Sequence, residues 1–121
     1  MAIKKVLVCD DSAADRTNLE RIVSGTGCIV IPATNGKDAL EKARTEKPDL
    51  IFLDIVMPDL DGYATCRALQ NDPQTKNIPV IFVTSKGQKA DRVWAQMQGG
   101  KSLVSKPYTA DQIVEQIKDV A

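Results

Sequence analysis

Short, continuous apolar runs alternate with segments of helical spacing along almost the whole chain, and this alternation restricts the fold more than any other feature. The runs are Lys5–Cys9, Cys28–Pro32, Asp49–Leu53, Pro79–Thr84 and Ser102–Ser105. Because they lack a polar residue at every second position, they are typical of strands covered on both faces. Strands that alternate with helices favour right-handed crossovers. The pattern predicts an α/β fold, a doubly wound parallel sheet built from five βα units.

Helical spacing and capping residues set the bounds of the intervening helices. The predicted helices cover 13–24, 36–46, 62–71, 87–98 and a last segment that follows Thr109. Ser12, with Asp15 three residues later, predicts a cap at the start of the first helix. On the fourth helix, the spacing of Trp94 with Ala90 and Met97 predicts that Trp94 is partly buried in the core.

Length and charge exclude several classes of protein. A chain of 121 residues suits one compact domain, and the last predicted helix reaches its end, so we expect a single domain over 1–121 without an output domain. The formal net charge of zero argues against a protein that binds nucleic acid or an anionic membrane. The sequence contains neither an apolar run of about 18 residues nor a signal peptide. We therefore expect a cytoplasmic location.

The chain has no histidine, which removes His general bases, Ser-His-Asp triads and zinc sites of the Cys/His type. Its three cysteines, Cys9, Cys28 and Cys66, are far apart in the sequence. They are interpreted as reduced thiols that behave as small apolar residues.

Polar side chains follow four of the predicted strands at the point where each strand ends. Asp10 and Asp11 follow the first strand, Asp54 follows the third, Thr84 ends the fourth, and Lys106 follows the fifth. Taken alone, each has an ordinary structural explanation, such as a helix cap or a surface charge. Because ligands of doubly wound sheets bind at the carboxyl ends of the strands, these residues together predict a functional site.

The residue types at this edge indicate a particular chemistry. Three clustered carboxylates repel one another and raise one another's pKa, and a hard divalent cation relieves this repulsion. Ligands that are all oxygen atoms favour Mg²⁺. Asp54, which lies between apolar neighbours, then stays ionised and can attack a phosphoryl group as a nucleophile. The ammonium of Lys106 and the hydroxyl of Thr84 are suited to contact the oxygens of the transferred group.

Four segments at these positions resemble the response-regulator receiver domain. They are VLVCDDS at 6–12, LDIVMPDLDG at 53–62, PVIFVTS at 79–85 and SKP at 105–107. The resemblance extends from Val6 to Val120. It implies the flavodoxin-like strand order 2-1-3-4-5 with five helices.

The resemblance also implies roles for the acidic residues. Asp54 corresponds to the phosphoacceptor. For Mg²⁺, Asp11 corresponds to a direct ligand and Asp10 to the residue that holds metal-bound water. Asp54 and the backbone carbonyl of Val56 complete the implied protein contacts to the metal.

The remaining implied roles concern the switch. Thr84 corresponds to the switch hydroxyl and Lys106 to the phosphoryl-contacting residue, with a cis bond between Lys106 and Pro107. The family often has Tyr or Phe three residues before this lysine, whereas this chain has Leu103. Leu103 therefore argues against the aromatic type of switching.

The implied function is that of a single-domain response regulator in a two-component phosphorelay. A sensor histidine kinase is the implied phosphodonor, and the chain is not an enzyme, although it catalyses its own phosphorylation and dephosphorylation. We expect output by contact with a downstream protein at helix 4, strand 5 and helix 5, including Lys86, Lys89 and Arg92, with Trp94 as an alternative member of this surface, or no output at all, as a phosphate sink. The segment DRVWAQMQGG also resembles stand-alone receivers of twitching-motility chemotaxis systems.

Three other interpretations remain open. One is a receiver fold that binds partners without phosphorylation-dependent switching. A second is a magnesium-dependent phosphatase, but such enzymes usually carry a second Asp where this chain has Val56. A third is a flavin- or nucleotide-binding module, but the glycine-rich phosphate loop that it needs is replaced by Asp10 and Asp11.

Overall fold

The computed structural model describes residues 2–85 and 87–121, so Lys86 of the expected partner face lies outside the described residues. Five strands alternate with five helices, as the sequence predicts. The strands are β1 Lys5–Cys9, β2 Ile29–Ala33, β3 Leu50–Asp54, β4 Val80–Thr84 and β5 Ser102–Ser105. The helices are α1 Ala13–Ser24, α2 Gly36–Glu46, α3 Gly62–Gln70, α4 Lys89–Met97 and α5 Ala110–Val120.

All strand pairs are parallel, and the sheet order is β2-β1-β3-β4-β5, which confirms the predicted fold. Two predicted strands are shifted by one residue, since β2 includes Ala33 and β3 includes Asp54. The register explains this shift, because Ala33 pairs with Cys9 and Asp54 pairs with Val83. Asp54 is thus the last residue of a strand rather than the first residue of a loop.

The core has two layers, one on each face of the sheet. Alternate strand residues such as Leu53 and Phe82 pack with buried residues of α2, α3 and α4. Their neighbours, such as Phe52 and Val83, pack with α1 and α5. Burial on both faces accounts for the continuous apolar runs of β1, β3 and β4.

The prediction that Trp94 is partly in the core is wrong. Trp94 is 47% exposed and Met97 is 69% exposed, whereas Ala95 is the residue of α4 that is buried. The ring of Tyr63 packs edge-on against Phe82, with centroids 5.3 Å apart. Tyr63 lies between Phe82 and Trp94, and its ring centroid is 6.3 Å from that of Trp94 in a second edge-on contact.

The first and last helices, α1 and α5, are both capped by the side chain of the residue that precedes them. The Oγ of Ser12 accepts a hydrogen bond from the backbone N–H of Asp15, and a capping box joins Thr109 with Gln112. Among the described residues, no helix combines the length and the apolar character that crossing a membrane requires.

Candidate functional site

Three carboxylates meet at the carboxyl edge of the sheet. Asp10, Asp11 and Asp54 each place one oxygen within 4.8 Å of the others. Asp10 and Asp54 are only 2% and 6% exposed, whereas Asp11 is exposed. Because β1 and β3 are neighbours and Cys9 pairs with Leu53, the residues that follow these two arrive side by side.

Backbone groups orient the two buried carboxylates. Oδ1 of Asp10 accepts a hydrogen bond from the N–H of Ser12 (2.9 Å). Oδ1 of Asp54 accepts one from the N–H of Ile55, also at 2.9 Å. Each carboxylate therefore has a fixed direction, and Oδ2 of Asp10 lies toward β5.

The ammonium of Lys106 lies among these carboxylates. Its Nζ is 2.9 Å from Oδ2 of Asp10, 3.0 Å from Oδ2 of Asp15 and 3.8 Å from Oδ1 of Asp54. The lysine follows β5 directly, and its N–H donates to the carbonyl oxygen of Thr84 (2.7 Å). The Lys106–Pro107 bond is cis, and Thr84 is fully buried beside this turn.

Burial and like charge dominate the electrostatics of the site. Burial and the neighbouring Asp10 carboxylate raise the pKa of Asp54 from 3.8 to about 7, against the opposing effects of Lys106 and the Ile55 N–H. Burial alone would lower the pKa of Lys106, but hydrogen bonds to Asp10 and Asp15 raise it above its ordinary value. One ammonium therefore does not fully offset the negative charge, which makes the cluster suitable for a further cation.

The three carboxylates of the site are suitable ligands for Mg²⁺. The oxygens that converge belong to carboxylates, which hard divalent cations prefer, and one of the three carboxylates is exposed, so that an ion can enter from solvent. Val56, whose backbone carbonyl is an expected ligand, follows β3 by two residues, and its side chain is 55% exposed.

Asp15 is a member of the site that the sequence did not predict. Its spacing from Ser12 indicates only a helix cap, and its backbone N–H does fill that role. Its carboxylate instead contacts Lys106. The only sequence signal was its place in the first turn of the helix that follows Asp10 and Asp11, a turn that faces the same edge of the sheet.

Leu103, at the position where the family often has an aromatic residue, is buried in the core with 4% exposure. Its carbonyl oxygen accepts a hydrogen bond from Nη1 of Arg92 (2.8 Å) on α4. Arg92 and Leu103 line an open cavity of about 440 Å³, and the residues lining it from α5 include Asp111 and Glu115. This cavity lies on the expected partner face, and Lys89 is exposed at the start of α4.

Comparisons with known proteins agree with this geometry. The family model described as "Response regulator receiver domain" matches residues 6–118. Protein PilH of Pseudomonas aeruginosa is 39% identical over 116 residues, which cover 96% of each chain. Protein PilG of the same organism is 39% identical over 114 residues, which cover 94% of this chain and 84% of PilG.

A solved structure shows the same fold with ligands. In the CheX-CheY-BeF3-Mg²⁺ complex from Borrelia burgdorferi, the matched chain is 26% identical, with a TM-score of 0.90. The match covers 97% of this chain and 88% of that one. On the family match, the identities to PilH and PilG, and the shared fold, this chain belongs to the family of response regulator receiver domains.

Proposed function

We propose that this chain is a response regulator that accepts a phosphoryl group on Asp54 from a phosphohistidine of a sensor kinase. Receiver domains are phosphoacceptor modules that take phosphate from histidine kinases and bind downstream targets. The observation that carries the proposal is the position of Asp54, at the buried end of β3, with the Lys106 ammonium 3.8 Å from its Oδ1.

Asp10, Asp11, Asp54 and the backbone carbonyl of Val56 would hold Mg²⁺. When bound, Mg²⁺ supplies positive charge that offsets these carboxylates and the oxygens of an incoming phosphoryl group. The close approach of the three carboxylate oxygens supports this assignment. The attack on phosphorus and the contacts to the phosphoryl oxygens are made by side chains of the protein.

In the transfer step, a carboxylate oxygen of Asp54 attacks the phosphorus atom. The new O–P bond forms as the N–P bond breaks, and the electron pair of that bond stays on the imidazole nitrogen, which takes a proton from solvent. The Nζ of Lys106 has three N–H groups, so it can donate to a phosphoryl oxygen while keeping its contact with Asp15. Thr84, buried at the end of the adjacent strand, would turn its hydroxyl toward another oxygen.

Titration with beryllofluoride in the presence of Mg²⁺ tests this proposal. We expect saturable changes in Trp94 fluorescence and in the amide NMR spectrum of the wild type, and none in Asp54→Asn. Shifts that spread from residues 54, 84 and 106 into α4 and β5 would show a switch with an output face. Shifts confined to the site would indicate a phosphate sink. An unresponsive wild type would contradict the proposal and favour a partner-binding module without phosphorylation-dependent switching.

The proposed output is a protein contact at α4, β5 and α5. The open cavity that Arg92 and Leu103 share with acidic residues of α5 supports this face. Similarity to PilH and PilG supports a role in twitching-motility chemotaxis. The three free cysteines, Cys9, Cys28 and Cys66, support a cytoplasmic location.

The phosphoryl group on Asp54 is expected to persist for minutes or longer in purified, Mg²⁺-loaded protein. Val56 is 55% exposed near the site, and its apolar side chain offers no hydrogen bond to an attacking water. Loss of radiolabelled phosphate measures the lifetime. Val56→Asn should shorten it about fivefold, the effect of roughly one net hydrogen bond, while Val56→Ala should leave it unchanged. A wild-type half-life of seconds would contradict the expectation.

A further inference from the structure

The Lys106 ammonium forms hydrogen bonds with Asp15 and Asp10 but not with Asp54. The two hydrogen-bonded contacts are 3.0 Å to Oδ2 of Asp15 and 2.9 Å to Oδ2 of Asp10. The contact to Oδ1 of Asp54 is longer, at 3.8 Å, which exceeds hydrogen-bonding distance. The ammonium of Lys106 is thus close to the Asp54 carboxylate but forms no hydrogen bond with it.

Local structure explains why the Asp15 carboxylate reaches the lysine. Asp15 is the third residue of α1, where an acidic side chain often turns back to the N–H of the capping residue. Here the N–H of Ser12 donates to Oδ1 of Asp10 (2.9 Å). The Asp15 carboxylate is therefore available to Lys106, and the same hydrogen bond fixes Asp10.

We propose that Asp15 is a positioning residue that restrains Lys106 in the resting state and so limits how readily the lysine turns to a phosphoryl group on Asp54. The inference rests on the function proposed above. Asp15 is about half exposed, at 48% of its side chain, and Lys106 is 17% exposed. The pair is therefore neither fixed by burial nor fully screened by water.

Removing the Asp15 charge should change the affinities for beryllofluoride and for Mg²⁺ in opposite directions. Without the Asp15 charge, Lys106 moves toward Asp10 and Asp54, where it favours an anion on Asp54 but opposes a cation between the carboxylates. Asp15→Asn should bind beryllofluoride about threefold more tightly and Mg²⁺ about threefold more weakly, within the range that partly exposed ion pairs contribute. Damage to the fold would weaken both.

Calorimetric titration with Mg²⁺, followed by beryllofluoride at saturating Mg²⁺, measures both affinities. Glu41→Gln is the matched control, because it removes one exposed negative charge from α2, which packs on the opposite face of the sheet from α1. Its affinities should equal those of the wild type. Unchanged affinities in Asp15→Asn, or tighter Mg²⁺ binding, would overturn the proposal.

A double-mutant cycle separates restraint of Lys106 from simple loss of charge. In a Lys106→Met background, Asp15→Asn should change the Mg²⁺ affinity by clearly less than it does beside the native lysine, because there is no ammonium to restrain. The same fold-change in both backgrounds would overturn the inference. If the wild type itself binds no beryllofluoride, the proposed function fails instead, which is a distinct result.

Discussion

Asp54→Asn is expected to stabilise the metal-free protein by about 4 kcal/mol at pH 8, which corresponds to a roughly thousandfold change in the ionisation constant of Asp54, while it abolishes phosphoryl acceptance. The Asp54 carboxyl is 6% exposed, and its pKa is raised to about 7 by burial and by Asp10. A raised pKa means that the folded protein disfavours the ionised form, at about 1.4 kcal/mol for each tenfold change in the ionisation constant. An amide of the same shape removes this penalty but cannot form the acyl phosphate.

The stabilisation should depend on pH in a defined direction. Between the unfolded value near 3.8 and the folded value near 7, the folded chain holds more protons on Asp54 than the unfolded chain does. The contribution of Asp54 to stability is therefore fully present below about pH 4 and is lost as the pH rises toward 7. The advantage of Asp54→Asn should grow across this window and level off above it.

Urea denaturation in the presence of a chelator, from pH 4 to pH 8, measures the effect. Asp119→Asn provides a matched control, because it makes the same change at an exposed position on α5. The free energy of unfolding of Asp119→Asn should differ little from that of the wild type at every pH. A wild type that is as stable as Asp54→Asn at pH 8 would show that the buried carboxylate carries no penalty. Added Mg²⁺ should reduce the difference, since a bound cation stabilises the folded wild type more than a variant that has lost one of the three carboxylates.

Gly62→Ala is expected to destabilise the protein by about 3 kcal/mol or more, at the upper end of overpacking effects. A Cβ at Gly62 would lie 2.2 Å from the carbonyl oxygen of Asp54 and 2.7 Å from Cα of Ile55. These are backbone atoms of the site, so no side chain can move aside. The N–H of Gly62 also donates to the carbonyl oxygen of Ile55 (2.8 Å), which ties the start of α3 to the end of β3.

Chemical denaturation and Mg²⁺ titration of Gly62→Ala test this expectation together. Relief of the clash requires α3 to move away from β3, so Mg²⁺ affinity should fall along with stability. At Gly25, an added Cβ would lie no closer than 3.3 Å to other atoms, and its φ of −63° suits any residue. Gly25→Ala should therefore change stability by less than about 1 kcal/mol. Equal stabilities of the two variants would contradict the role of Gly62.

The sequence predicts β1, β3 and β4 well because these strands are buried on both faces, which leaves unbroken apolar runs. The edge strand β2 is apolar as well, although most of its residues are exposed or half-buried. The helix cap at Ser12 was predictable from local spacing alone. Convergence of Asp10, Asp54 and Lys106 followed from the rule that ligands bind at the carboxyl edge, and the structure places these residues together.

Two features could not be predicted, because they depend on contacts between distant residues. The carboxylate of Asp15 could instead accept a hydrogen bond from the N–H of Ser12. In the structure that N–H donates to Asp10, and the Asp15 carboxylate contacts Lys106. Helical spacing on α4 identifies an apolar face but not its direction. Tyr63, from another helix, lies between Phe82 and Trp94, and Trp94 is left exposed.

The ion pair between Lys106 and Asp10 joins residues that are 96 positions apart. A loop of that length closes at a large entropic cost, which is repaid only once the intervening strands have paired. In a chain that is still emerging from the ribosome, or in one whose β5 has detached, Asp54 is therefore present but Lys106 is not beside it to contact the oxygens of a phosphoryl group. Under the proposed function, an incompletely folded molecule would therefore be a poor phosphoacceptor, and only fully folded protein would compete for a kinase.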